Sequence, residues 1–276
     1  MRLRDARGGT KQDMAQTIHF ISGLPRSGST LLCNILAQNP RFHATHTSGC
    51  LEILFAVRNQ WDQLSEHQAH PNDAAKLRVL RGALAAYFAD VERPLVFDKS
   101  RGWLAHLEMA EEVLGRPAKV LVPIRGIPDV LASFEKLHRE TAKIRQPPGE
   151  AKNYSQFQSV AGRCEYWCRP DQVVGLARTR ILDALQRGFG SRLHLVRFDR
   201  LTANPADTLR AIYDFLGEPQ FEHDFANVEQ VTAEDDAVHG YVNLHAIRPQ
   251  VTPVPSRSLE VLGEALVRKY APLNVV

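Results

Sequence analysis

Short apolar runs of strand type alternate along the chain with longer stretches in which apolar residues recur about every third or fourth position, the period of a helix. The first run, Thr17 to Ser22, leads through a glycine-bounded loop into Leu31, Leu32, Ile35 and Leu36, which share one side of a helix predicted over Ser29 to Gln38. Asn39-Pro40 stops that helix, because a residue before proline is pushed out of the helical region. Arg41 to Gly49, with His43 and His46, reads as a polar link, and Leu51 to Leu64 as a helix with Glu52 in its first turn. Asp73 is placed to cap a further helix reaching about Ala89. Pro94 to Phe97 forms a strand that ends in Asp98-Lys99-Ser100-Arg101, and Trp103 to Leu114 a helix closed by Gly115. Ala118 to Ile124 is a buried strand leading into Arg125, after which Pro128 suits the first turn of a helix that carries Ser133.

His138 to Lys152, with Pro147-Pro148-Gly149, breaks the period and reads as a basic surface loop. Helical segments follow over Tyr154 to Gly188, interrupted near Arg169-Pro170; Leu193 to Phe198 is the last central strand, and a helix runs on to Phe215-Leu216-Gly217. Beyond it the pattern weakens until a proline-rich loop, Pro249 to Ser258, and a closing helix, Leu259 to Tyr270. Strands alternating with helices predict an α/β fold with a parallel sheet between helix layers. The expected organisation is a loose tail over 1–16 and one domain over 17–276.

A strand, a glycine-rich turn and a helix start aim backbone N–H groups and a helix N-terminus at one point, which suits a phosphate. Gly23 and Gly28 stand at Walker A spacing, but Ser29 occupies the lysine position and the cation lies inside the loop, at Arg26. Without that lysine the loop is poorly equipped for a triphosphate and Mg²⁺, whereas one 5′-phosphate would fit beside Arg26. Asp98, following an apolar strand as Walker B aspartates do, is the argument for the rival, an ATP-dependent small-molecule kinase. A nucleotide-binding protein without catalysis is a third possibility.

The string Pro25-Arg26-Ser27-Gly28-Ser29-Thr30-Leu31 resembles the 5′-phosphosulfate loop of sulfotransferases that use 3′-phosphoadenosine-5′-phosphosulfate (PAPS). Its arginine form is most similar to the tyrosylprotein sulfotransferases and their bacterial relatives. Asp98-Lys99-Ser100-Arg101-Gly102-Trp103 resembles the segment in which a catalytic lysine follows a strand, although the base histidine of the phenol-type enzymes is replaced by Arg101. Arg125 and Ser133, eight residues apart, resemble the pair that binds the 3′-phosphate; the basic residue that follows one turn later in tyrosylprotein enzymes is Leu137 here. Phe198-Asp199 stands where the family has Tyr-Glu, and keeps an aromatic face for the adenine.

The resemblance implies a P-loop NTPase-like sandwich, PAPS as donor with no metal, and a hydroxyl acceptor: a peptide tyrosine, a carbohydrate or a small phenol or alcohol. It places the amides of Ser27 to Thr30 on the 5′-phosphate, and Arg26 and Lys99 on the charge developing at the sulfuryl group. The acceptor's base is left open between Glu52 and His46, and a C-terminal contact to the cofactor between Arg248 and Ser256. The RKGxxG signature of the phenol-type enzymes is absent.

The 276 residues suffice for a large core, and 44% hydrophobic with 24% charged residues is ordinary globular composition. A net charge of +3 suits anionic cofactors and is too small to argue for nucleic acid. Cys33, Cys50, Cys164 and Cys168 make no disulfide framework in so long a chain and no zinc set, so free thiols are expected. Met1 to Gln16 lacks the apolar core of a signal peptide and no run is long enough for a membrane span, which points to a cytoplasmic protein. Oligomeric state leaves no mark in the sequence.

Overall fold

The computed structural model describes residues 16–276; the expected tail falls almost wholly outside them. Strand β1 (Thr17–Ile21) runs into helix α1 (Ser29–Leu36), followed by β2 (Phe42–Thr47), α2 (Cys50–Gln63), α3 (Ser65–Ala69) and α4 (Asp73–Tyr87). Then come β3 (Leu95–Lys99), a 3₁₀ turn over Trp103–Ala105, α5 (Leu107–Leu114), β4 (Val120–Ile124) and α6 (Ile127–Ala142). Helices α7 (Tyr154–Phe157), α8 (Val160–Cys168) and α9 (Val173–Gln186) precede β5 (Leu193–Arg197), α10 (Phe198–Ala203) and α11 (Pro205–Leu216). A long irregular segment leads to α12 (Ser258–Leu262) and α13 (Glu264–Tyr270).

The five strands form one sheet in the order β2-β3-β1-β4-β5, and every pairing is parallel. Alternate residues of each strand go to opposite faces. Ile18, Phe20, Val96, Val120 and Val122 join the core beneath α2, α4, α5, α6 and α9, whereas Ile21, Leu95, Phe97, Leu121 and Val196 join the one beneath α1 and α11. Burial on both faces is why these strands read as continuous apolar runs. The expected fold class, an α/β sandwich of the P-loop NTPase kind, is the one observed.

Several boundaries differ from expectation for local reasons. The polar link over 41–49 is the edge strand β2: Phe42 and Ala44 point inward while His46 and Thr47 are exposed. The cap of α4 is Asn72, whose side chain accepts from the Ala75 amide, rather than Asp73. The Trp103 helix is broken at His106, and the closing helix at Gly263, whose φ of 80° no other residue adopts easily. Helix α6 runs on to Ala142, burying His138 and Thr141, so only the later part of 138–152 is irregular. Phe198 opens α10 instead of ending β5. All four cysteines are free, and no helix of the described residues is long and apolar enough to cross a membrane.

Candidate active site

In an open parallel sheet, ligands bind beyond the carboxyl ends of the strands. A cavity of about 470 Å³ lies there, and every strand contributes to it: the loop after β1, Thr47 from β2, Lys99 to Arg101 from β3, Arg125 after β4 and Phe198 after β5. Its size is that of a pocket for a nucleotide-sized ligand.

The loop is built by close approach. A Cβ on Gly23 would stand 2.2 Å from the Pro123 carbonyl oxygen, and one on Gly28 (φ 85°) 2.6 Å from the Phe198 ring. Arg26 itself takes a left-handed φ of 57°. Ser27 turns its hydroxyl inward, where its one proton lies between the carbonyls of Leu24 (2.5 Å) and Pro123 (3.0 Å), so its side chain braces the loop instead of facing the cavity. Pro25, Arg26, Gly28, Ser29 and Thr30 line the cavity.

The Arg26 guanidinium donates from Nε to Ser133 Oγ (3.1 Å) and from a terminal nitrogen to the Leu244 carbonyl. Arg26, assigned from sequence to the sulfuryl group, and Ser133, assigned to the 3′-phosphate, are thus in direct contact. Arg125 donates to the Arg26 carbonyl at 3.2 Å and lies over the Phe198 ring at 4.5 Å, a cation–π distance.

At the end of β3 adjacent side chains part. Asp98 is fully buried, its Oδ2 accepting from the Trp103 indole at 2.6 Å, and burial pushes its pKa up against the hydrogen bonds of Ser48 and Trp103. Lys99 points the other way and lines the cavity. Its Nζ donates to Glu234 Oε1 at 2.9 Å, and the same oxygen accepts from the Thr47 amide (2.9 Å) and hydroxyl (3.1 Å). Burial alone would raise the Glu234 pKa, but Lys99 and the Thr47 amide bring it down to about 2.

The two candidate bases fare differently from the cations. Glu52 and His46 are exposed and neither lines the cavity, although both lie close enough to act on the charge of Asp98. Titratable groups that do face it come from the segment after α11: His239 and His245, with Glu234 behind them. His245 Nδ1 donates to Asp236 Oδ1 at 2.6 Å; burial lowers its pKa despite the two carboxylates. None of these was anticipated, because the segment has no helical or strand period and joins the site through contacts such as Lys99–Glu234, 135 positions apart. Of the two C-terminal contacts left open, Arg248 lines the cavity, whereas Ser256 bonds to Asp129 and Ser258.

The sulfotransferase family model matches residues 19–223, from β1 past α11. The chain belongs to the sulfotransferase family. It is therefore a transferase of sulfuryl groups in the coarse sense that the family shares. Among solved structures it is similar to a sulfotransferase from Alicyclobacillus acidocaldarius (16% identity, 81% of this chain and 88% of that one, TM-score 0.47). The sulfotransferase domain of the Synechococcus PCC 7002 olefin synthase is also similar (18% identity, 96% and 98% covered, TM-score 0.46). So is mouse sulfotransferase SULT7A1 complexed with PAP (11% identity, 75% and 61% covered, TM-score 0.47). No curated protein matches the chain.

Proposed function

We propose that the protein transfers the sulfuryl group of PAPS to an acceptor hydroxyl, with protein cations standing where a nucleotide kinase uses Mg²⁺. The observation that carries this reading is the divergence of Asp98 and Lys99. The one carboxylate at a Walker B position is sealed under Trp103, and its neighbour delivers a cation to the cavity instead. The lining also includes Arg26, Arg101, Arg125 and Arg248, a charge distribution suited to a nucleotide bearing several anionic groups.

In this reading the backbone amides of Ser27 to Thr30 hold the 5′-phosphate at the start of α1. Arg125 and Ser133 hold the 3′-phosphate, the guanidinium in a forked contact, and Phe198 offers its ring to the adenine. Arg26 and Lys99 neutralise the charge that spreads over the sulfuryl oxygens and the departing phosphate. Sulfuryl oxygens carry less charge than those of a γ-phosphoryl group, so two cations are an adequate substitute for a metal at that point. Among hydroxyl acceptors a peptide tyrosine is favoured, through the likeness of the loop and of Phe97-Asp98-Lys99-Ser100-Arg101-Gly102-Trp103 to bacterial relatives of the tyrosylprotein enzymes. Carbohydrates and small phenols or alcohols are the other hydroxyl classes.

Thermal melting of the chain in chelator tests the donor. PAP without metal is expected to raise the melting temperature, and Mg-ATP to raise it distinctly less. Stabilisation by Mg-ATP alone would replace this reading with a kinase.

A further inference from the structure

Glu234 uses its two oxygens differently. Oε1 is saturated by Lys99 and by the amide and hydroxyl of Thr47. Oε2 has no donor at hydrogen-bond distance among the described residues; it faces His245 Nε2 at 3.6 Å and His239 Nε2 at 3.8 Å. The Asp236 carboxylate accepts from His245 Nδ1 at 2.6 Å, which leaves Nε2 as the ring nitrogen facing Glu234.

We propose that Glu234, His239 and His245 form a three-ligand site for a divalent zinc-type metal ion at the edge of the cavity. The three ligand atoms lie within 4.8 Å of one another. Ligand atoms around a tetrahedral zinc, at about 2.0–2.2 Å from the metal, stand about 3.4 Å apart, so the two carboxylate–imidazole spacings, 3.6 and 3.8 Å, need to close by only a few tenths of an ångström. Two imidazoles and one carboxylate are a donor set that zinc favours, and three protein ligands leave a fourth position open.

The surroundings are those of a held site. Asp236 fixes the His245 tautomer in the manner of a carboxylate–histidine–metal relay, and its other oxygen accepts from the His245 amide at 3.2 Å. Gln230 donates to the His245 carbonyl at 3.0 Å, fixing that residue from the other side. His239 is brought back over Glu234 by a turn in which its amide donates to the Asp236 carbonyl, and Gly240 follows with a left-handed φ of 74°. His239 and His245 both line the cavity, so the three groups stand at its edge. Metal binding does not rest on the sulfuryl-transfer reading. Only its consequence does: an acceptor hydroxyl in the fourth position would lose its proton more readily, a task no group of the phosphate loop performs.

The full chain, stripped with chelator and returned to metal-free buffer, is titrated with Zn²⁺ by calorimetry and with Co²⁺ by visible absorption. The expected result is one Zn²⁺ bound per chain and the intense bands of four-coordinate Co²⁺. His239→Ala and Glu234→Gln should each abolish saturable binding, and Asp236→Asn should weaken it about 10–100-fold. His70→Ala, on an exposed histidine elsewhere, should bind like the parent. His239 is on an exposed turn, so its variant remains informative if Glu234→Gln fails to fold. Failure of the parent chain to bind a stoichiometric metal, or equal affinity in His239→Ala, overturns the proposal and leaves the cluster as a metal-free hydrogen-bonding group. The PAP melting experiment in chelator is unaffected by either result, so the two readings fail separately.

Discussion

Arg26 combines two features: a left-handed backbone in a residue with a Cβ, and a guanidinium held by two hydrogen bonds. Its neighbours keep it there, with Arg125 on its carbonyl and Ser133 and Leu244 on its guanidinium. If Arg26 and Lys99 act on charge that exists only in the transition state, removing either should lower turnover far more than donor binding. Arg26→Ala and Lys99→Ala are each expected to reduce PAP release from PAPS, in the presence of a hydroxyl acceptor, by about 10²–10³-fold. Melting with PAP should retain part of its stabilisation in both. Parental turnover in either variant would show that the cation has been misassigned. Gly28 gives a second residue-scale test. Gly28→Ala introduces a Cβ 2.6 Å from Phe198 at a φ of 85°, and PAP stabilisation should be lost. Adding Phe198→Ala should relieve the steric part but neither the backbone strain nor the loss of the ring proposed to face the adenine, so recovery is expected to be incomplete, and Phe198→Ala alone is the reference for it.

Among the elements, those legible in the sequence carry their information locally. Strands β3 and β4 were visible because both faces are buried, and the loop after β1 because glycine is required at two close approaches. Edge strand β2 was not, since Phe42 and Ala44 are the only apolar residues in a run otherwise made of His and Thr. The segment after α11 was legible least of all. It is held by side chains distant in sequence: Asn34 of α1 accepts from the amides of Val231 (2.6 Å) and Thr232 (3.1 Å) and donates to the Thr232 hydroxyl at 2.8 Å. One buried asparagine therefore pins the stretch that brings Glu234, His239 and His245 over the cavity. Asn34→Ala removes these three hydrogen bonds, each contributing about 1 kcal/mol net, along with a fourth to the Thr30 carbonyl, and leaves two amides without their partner. PAP affinity, measured by calorimetry, should fall about tenfold or more, because the segment must then be ordered at the expense of binding. Unchanged affinity would mean that the segment is held independently of α1. On the opposite side of the sheet, Glu135 of α6 is buried with its oxygens on Arg163 (2.7 and 2.8 Å) and Arg139 (2.7 Å). Replacing Arg163 by Met leaves that carboxylate with Arg139 alone and should cost about 2–3 kcal/mol in urea unfolding.

At the scale of the whole molecule, the layers that exclude water from the sheet also decide how the protein responds to acid. His19 of β1 is 3% exposed, and burial, then the charges of Arg116 and Lys119, lower its pKa to about 3. His223, packed beside Tyr213, is lowered to about 4 by burial. Both rings are therefore neutral in the folded chain at pH values where the unfolded chain, with histidine near 6.5, binds protons. The unfolded state then holds more protons than the folded one, so stability rises with pH across that interval. Their contribution is complete above about pH 6.5 and is lost as the pH falls toward 4, at up to ~1.4 kcal/mol per pH unit for each ring. Urea unfolding between pH 7 and pH 4.5 is expected to show this decline. His19→Phe, which keeps an aromatic ring against Phe97 and removes the site of protonation, should flatten the slope by the share of one histidine. Parallel slopes in the parent and the variant would mean that His19 takes up its proton within the folded sheet, with the strand accommodating a charge at its centre.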